Sequence, residues 1–326
     1  MRQPSPNSRI AGVLLAAIWV ATLCGIAPPA HAQKFGGTIG TGVSEVAGGA
    51  LGVLGMSVVP NESASTLFID STSGDDYNYQ ATQFGGAFTV SDDFPLYMEG
   101  FIGASRYDPT FVFSGLTQER TIRAKWTSFA ATGGLGWDIP LTDTLTLRPI
   151  GNFSLGAIVS DATIAQAIIN DILGTEINFI DDGEMFAVGY GGAIMLDYEY
   201  YTPEYEIDSE LRYSHIRLEN IGYSRNYTVV KSDAITLGMW NRLRVPTGFH
   251  AFGGPIRGVG ELAGSLLIGD QSVALQSDWL VQVGLGIEFD TAKIEWLPLL
   301  TRLRITARAI TGDQMYGTSI GIGVTF

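Results

Sequence analysis

Trp279-Leu280-Val281-Gln282-Val283-Gly284-Leu285-Gly286-Ile287-Glu288-Phe289-Asp290 is the stretch that decides the fold. Its odd positions are all large and apolar, and its even positions, Leu280 apart, are Gln, Gly, Glu and Asp. A period of two means a strand with one apolar face. The chain closes on the same alternation: Ile320, Ile322, Val324 and the terminal Phe326 interleave with Ser319, Gly321, Gly323 and Thr325. Between these segments Leu299, Leu303, Ile305, Ala307 and Ala309 share one side of a further strand, with Arg302, Arg304 and Arg308 on the other. These are read as the closing hairpins of an all-β, transmembrane, antiparallel up-and-down β-barrel, with lipid outside and a polar lumen inside. A soluble β-sandwich also alternates. Its wet face would carry Lys and Glu, whereas here that face is largely Gly, Ala, Ser and Thr, and the only lysines are Lys34, Lys125, Lys231 and Lys293.

Working outward, the N-terminus carries Arg2 and Arg9, an apolar run from Ile10 to Ile26, and then Ala30-His31-Ala32. That is the layout of a signal peptide over 1–32, cleaved to start the mature chain at Gln33. Cys24 raises a lipoprotein alternative, but Leu23 before it is bulky where that processing needs a small residue. Removing the leader removes the only cysteine, so no disulfide is expected. It also leaves 17 basic residues (19 less Arg2 and Arg9) against 33 acidic ones, a net charge of −16. Such a charge argues against nucleic acid as a partner. Residues 33–65 are read as a periplasmic or lumenal segment. Its glycines, Gly48-Gly49, Gly52 and Gly55 among them, disfavour a free helix, yet a helix plugging the lumen fits its apolar run.

The barrel is expected over 66–326, in twelve strands at about 66–72, 77–90, 94–106, 121–139, 144–159, 185–201, 205–217, 232–245, 251–267, 278–290, 299–311 and 317–326. An even count places both termini on the periplasmic side. Short turns are expected at 91–93, 140–143, 202–204 and 246–250, with longer links between them on the opposite side. Aromatics near the strand ends, such as Phe88, Trp137, Tyr200 and Phe289 on one side and Trp126, Phe186 and Tyr213 on the other, would form two interfacial belts.

The same register sends charge inward in blocks: Asp197 and Glu199; Glu206, Asp208, Glu210 and Arg212; Arg242 and Arg244; Arg257 and Glu261; Glu288 and Asp290; and Arg302, Arg304 and Arg308. Two readings stay open. One is an ion-pair lattice that stiffens the barrel; the other is a charge-lined, narrow aqueous path, passive or gated. The 161–184 loop, with Ile164, Ile168, Ile169, Ile172 and Leu173 at helical spacing, would fold over the mouth. Its acidic residues read as a solvated loop, so no metal site and no cofactor are expected. Arg120, Arg123 and Lys125 at the outer rim would meet lipopolysaccharide phosphates.

No enzyme is expected. The mature chain has two histidines, and His215 follows Ser214 directly, so a pleat sends the two side chains to opposite faces. His250 falls in a turn on the side away from the outer leaflet.

The run Leu51 to Pro60 leading into Ser65-Thr66-Leu67-Phe68-Ile69-Asp70, and the close Gly317-Thr318-Ser319-Ile320-Gly321-Ile322-Gly323-Val324-Thr325-Phe326, resemble the solitary outer-membrane autotransporter-type β-barrel family. The resemblance implies a translocator-like barrel of about twelve strands without a passenger, in the bacterial outer membrane. It implies a helix in the pore, insertion by the barrel assembly machinery through the last strand (Ile320, Ile322, Val324, Phe326), and no catalytic residues to carry over.

Overall fold

The computed structural model describes residues 43–60, 66–71, 78–108, 110–113, 120–123, 125–160, 184–221, 229–294, 301–313 and 315–325. Fifteen strands follow a helix α1, Val43–Val58: β1 Thr66–Ser71, β2 Asn78–Thr89, β3 Leu96–Asp108, β4 Thr110–Phe113, β5 Arg120–Arg123, β6 Trp126–Trp137, β7 Ile139–Thr142, β8 Leu145–Ser160, β9 Glu184–Tyr201, β10 Glu206–Ile221, β11 Lys231–Ala251, β12 Gly254–Gly269, β13 Trp279–Asp290, β14 Arg302–Gly312 and β15 Met315–Thr325. A second helix, α2 Asp270–Leu275, lies between β12 and β13. All neighbouring pairs are antiparallel; β6 pairs β8, and β1 pairs β15, which closes the sheet on itself. Without the hairpin β4–β5 and the short β7, twelve strands make the wall.

Alternation sets the two faces. Ile102, Phe129, Leu135, Phe153, Val283 and Leu285 are exposed on the outside, whereas Glu99, Asn152, Arg212, Glu261 and Arg308 are buried within. A wall whose outer surface is apolar while its inner surface carries arginines belongs in hydrocarbon. One mouth carries the links 90–95, 138–144, 202–205, 252–253 and 291–301, and is called the turn end; the other is the loop end.

Three expected boundaries change. The strand placed at 121–139 is broken: β5 pairs β4 in a separate hairpin, and only β6 joins the wall. Alternation does not say whether a strand pairs with a distant neighbour or with its own preceding segment. The turn placed at 246–250 is part of β11, where a bulge between Pro246 and His250 absorbs the break. The reversal comes at Phe252-Gly253, both at positive φ (55° and 80°), as a two-residue hairpin turn needs. The link 269–277 holds α2. The leader 1–32, the helix expected in 161–184 and Phe326 lie outside the described residues.

Candidate functional site

Inside the wall the lumen divides into two parts. In its loop-end half, α1 packs Leu51, Leu54 and Val58 against Tyr79, Trp126, Ile216, Leu218, Ala234 and Leu267 in one buried apolar cluster. Burial of these three side chains, at roughly 1.5–3 kcal/mol each, outweighs a penalty of about 1 kcal/mol for each of the four helix glycines. Those glycines have a local reason. A Cβ on Gly52 would stand 2.6 Å from the Asp270 carbonyl oxygen, and one on Gly55 would stand 3.1 Å from Ala234 Cβ, so glycine lets α1 approach α2 and β11 closely. The C-terminal end of α1 is held at mid-height. Thr132 Oγ1 donates to the Val58 carbonyl at 2.7 Å, and Gln83 Nε2 donates to the Ser57 and Val59 carbonyls at 3.2 and 3.1 Å. Because Gly52 meets α2, α1 begins toward the loop end, whereas β15 finishes at the turn end.

Below α1 the turn-end half keeps an open chamber lined by Asp197, Glu199, Asp208, Glu210, Arg242, Arg244, Arg302 and Arg304. Register explains the pairing: Glu206 faces Arg244 and Asp208 faces Arg242 between β10 and β11, Arg242 faces Glu261 on β12, and Glu288 faces Arg304 between β13 and β14. Arg302 binds Glu206 at 2.6 Å, Arg242 binds Glu261 at 3.0 Å and Arg308 binds Glu261 at 2.7 Å. Arg244 joins Asp208 and Glu206, and Arg257 reaches Glu206 at 3.5 Å. Glu288, fully buried, has Arg302, Arg304, Arg244 and Arg257 at 3.4–3.8 Å. Arg304 approaches Glu261 at 3.7 Å. Asp290 instead caps the turn-end link by accepting from the Ala292 N–H at 3.1 Å.

The other side of the lumen is more acidic. Glu199 stands opposite Asp208, and Glu210 opposite Asp197, so like charges meet between β9 and β10. Arg148 relieves this by binding Asp197 at 3.1 Å and Asp138, while its guanidinium lies 4.0 Å over the Tyr97 ring. Burial would raise the pKa of Asp138, in the turn after β6. Hydrogen bonds from Arg148 and Thr89 outweigh it and hold the carboxyl below the usual range. Arg212 pairs with Glu99, at 2.7 and 2.8 Å, instead of a neighbour on its own side. Neither Arg148 nor Glu99 was among the lumen residues picked from sequence. For Arg148 the signal existed, since Arg148, Asn152 and Ser154 alternate with Leu147, Phe153 and Leu155. For Glu99 it was faint, because β3 is apolar on both faces around it.

Ile320, Ile322 and Val324 point outward and are exposed. His215 is also on the outer face, 2.9 Å from Asp233, with Ser214 buried inside. Lys125 is exposed; the side chains of Arg120 and Arg123 lie outside the described residues.

No family model matches the chain, nor does any curated protein. Among solved structures it is similar to the β domain of the Bordetella autotransporter BrkA, at 12% identity over 81% of this chain and 98% of that one, TM-score 0.46. It is similar to the transport unit of the autotransporter AIDA-I from Escherichia coli, at 12% identity over 88% and 100%, TM-score 0.42. A third is LpxR from Salmonella typhimurium, at 12% identity over 80% and 100%, TM-score 0.39. LpxR, a lipid-modifying outer-membrane enzyme, corrects one expectation: that the chain is no enzyme does not follow from its being such a barrel. The closed wall, its apolar exterior and the helix lodged inside make this chain, in fold, a transmembrane antiparallel β-barrel with an occupied lumen.

Proposed function

We propose that the barrel is a narrow gated pore, with α1 as the gate and the charged chamber as its vestibule. The reading is carried by the division of the lumen: α1 occupies the loop-end half, while the charged chamber below it stays open. In the closed state solutes enter from the turn end and stop beneath Val58. Displacing α1 joins the two halves, and charges of both signs along the joined path favour small polar or zwitterionic solutes over apolar ones. The rival is an inert structural barrel, favoured by the tight seating of Gly52 and Gly55.

Conductance in planar bilayers separates them. The mature chain is expected to give rare, brief openings, and a chain lacking 33–62 a persistent current many-fold larger. If the truncated barrel is folded, as judged by heat-dependent migration in gels, yet carries no current, the pore reading fails.

A further inference from the structure

Two ion pairs cross the lumen, and both are anchored on β10. Arg212 reaches Glu99 of β3 through two hydrogen bonds, at 2.7 and 2.8 Å, and Glu206 takes Arg302 of β14 at 2.6 Å. Round the ring, β3 is four strands from β10 by way of β9, β8 and β6, and β14 is four strands from it by way of β11, β12 and β13. Neither contact is therefore one of the neighbour-to-neighbour pairs that strand register supplies. Each draws a chord across the lumen, a third of the way round a wall of twelve strands.

The two chords differ in height and in packing. Glu206 opens β10 at the turn end, and Arg212 lies three inward positions further along, with Asp208 and Glu210 of the chamber between them. The Glu99–Arg212 chord also runs just beneath α1. Thr132, which holds the Val58 carbonyl, is followed on the inner face of β6 by Gly134, and Gly134 pairs with Glu99. A Cβ on Gly134 would stand 2.6 Å from Glu99 Cγ, so glycine makes room for the chord at that point. Asn152 and Tyr97 donate to the same carboxylate and fix where the chord ends. The Glu99 side chain is fully enclosed and that of Arg212 is 8% exposed, whereas that of Arg302 keeps 28%. The upper chord is the denser of the two.

We propose that the Glu99–Arg212 chord is the size-limiting element of the path, a bar of side-chain bulk that stays when α1 moves and admits only solutes able to pass beside it. Its two charges satisfy one another in a bidentate pair, so its part is width and not charge. The inference rests on the gated-pore reading, because a barrel that never conducts has no size limit.

The test uses the full mature chain carrying Gly52→Val, in which α1 must back away from α2. It reads bilayer current in the presence of polyethylene glycols of graded mass, which serve as rulers of the largest solute admitted. Glu99→Ala with Arg212→Ala removes the bulk and leaves no buried ion behind. This pair is expected to raise the conductance at least twofold and to admit larger polymers than the Gly52→Val parent. Glu99→Thr with Arg212→Thr, which suits a strand better, carries the same expectation. Glu99→Leu with Arg212→Met removes the charge but keeps the bulk, and is expected to retain the narrow limit. Each barrel is checked for folding by gel migration. An unchanged limit in the folded alanine or threonine pair, or a limit that moves as far in the leucine–methionine pair, would overturn the proposal. Silence of all these barrels overturns it too: current from the chain lacking 33–62 would then leave the pore reading standing alone, and silence there as well would end both.

Discussion

Glu99 accepts four hydrogen bonds deep in the lumen, two from Arg212, one from Asn152 Nδ2 at 2.6 Å and one from the Tyr97 hydroxyl at 3.1 Å. Glu99→Ala would strand the Arg212 guanidinium in a buried site, a change that typically costs about 3–5 kcal/mol. Replacing both partners, Glu99→Leu with Arg212→Met, removes the unpaired charge along with the pair and should recover most of that loss. Urea unfolding in detergent, followed by far-ultraviolet circular dichroism, is expected to rank the double variant above Glu99→Ala. The opposite ranking would mean that the pair itself holds this part of the lumen. At this scale the sequence is legible wherever one face of a strand differs chemically from the other. The arginines of β14 alternate with Leu303, Ile305 and Ala307, so their direction could be read. Glu99 sits among Tyr97, Met98, Phe101 and Ile102, where both faces are apolar and alternation carries no contrast.

Among the elements, α1 is the least conventional, because glycine at its density lowers intrinsic helicity. Packing overrides the propensity: a Cβ at Gly52 would collide with the Asp270 carbonyl of α2, and one at Gly55 would press tightly on Ala234 of β11. Gly52→Val places branched carbons against the Asp270 carbonyl, and the helix must back away from α2. The wall pairings are untouched by that change. The expected outcome is a folded barrel whose bilayer current rises several-fold, toward that of the chain lacking 33–62; unchanged current with intact folding would count against α1 as the gate. Composition alone left the place of this segment open, since glycine spacing records where partners come close only once the partners are known. The β4–β5 hairpin was hidden for a related reason. Its segments, Thr110–Phe113 and Arg120–Arg123, are too short to show a clear alternation, and nothing local distinguishes which edge they join.

For the whole molecule, the count of twelve wall strands was readable from repeated alternation broken by turn residues. The way the chain enters was not, because the direction of a helix inside a lumen leaves no mark on strand periodicity. α1 begins toward the loop end, so residues just before Val43 should be approached from that mouth. With the chain's one cysteine, Cys24, changed to serine, Thr38→Cys provides a single reporter. On intact cells a membrane-impermeant maleimide is expected to label Thr38→Cys as strongly as a cysteine in the β4–β5 hairpin, and much more strongly than one at Gly253 in the turn-end hairpin. Labelling of Thr38→Cys only after the outer membrane is opened would reverse this entry route.

The shortness of β1 bears on how the plug is kept. Six residue pairs join it to β15 and five to β2, against fourteen between β10 and β11, so the strand that closes the ring is the most lightly held in the wall. α1 precedes β1 in the chain, so the segment that fills the lumen is tethered to the wall at its weakest strand, and loosening that strand would free the plug and the ring together.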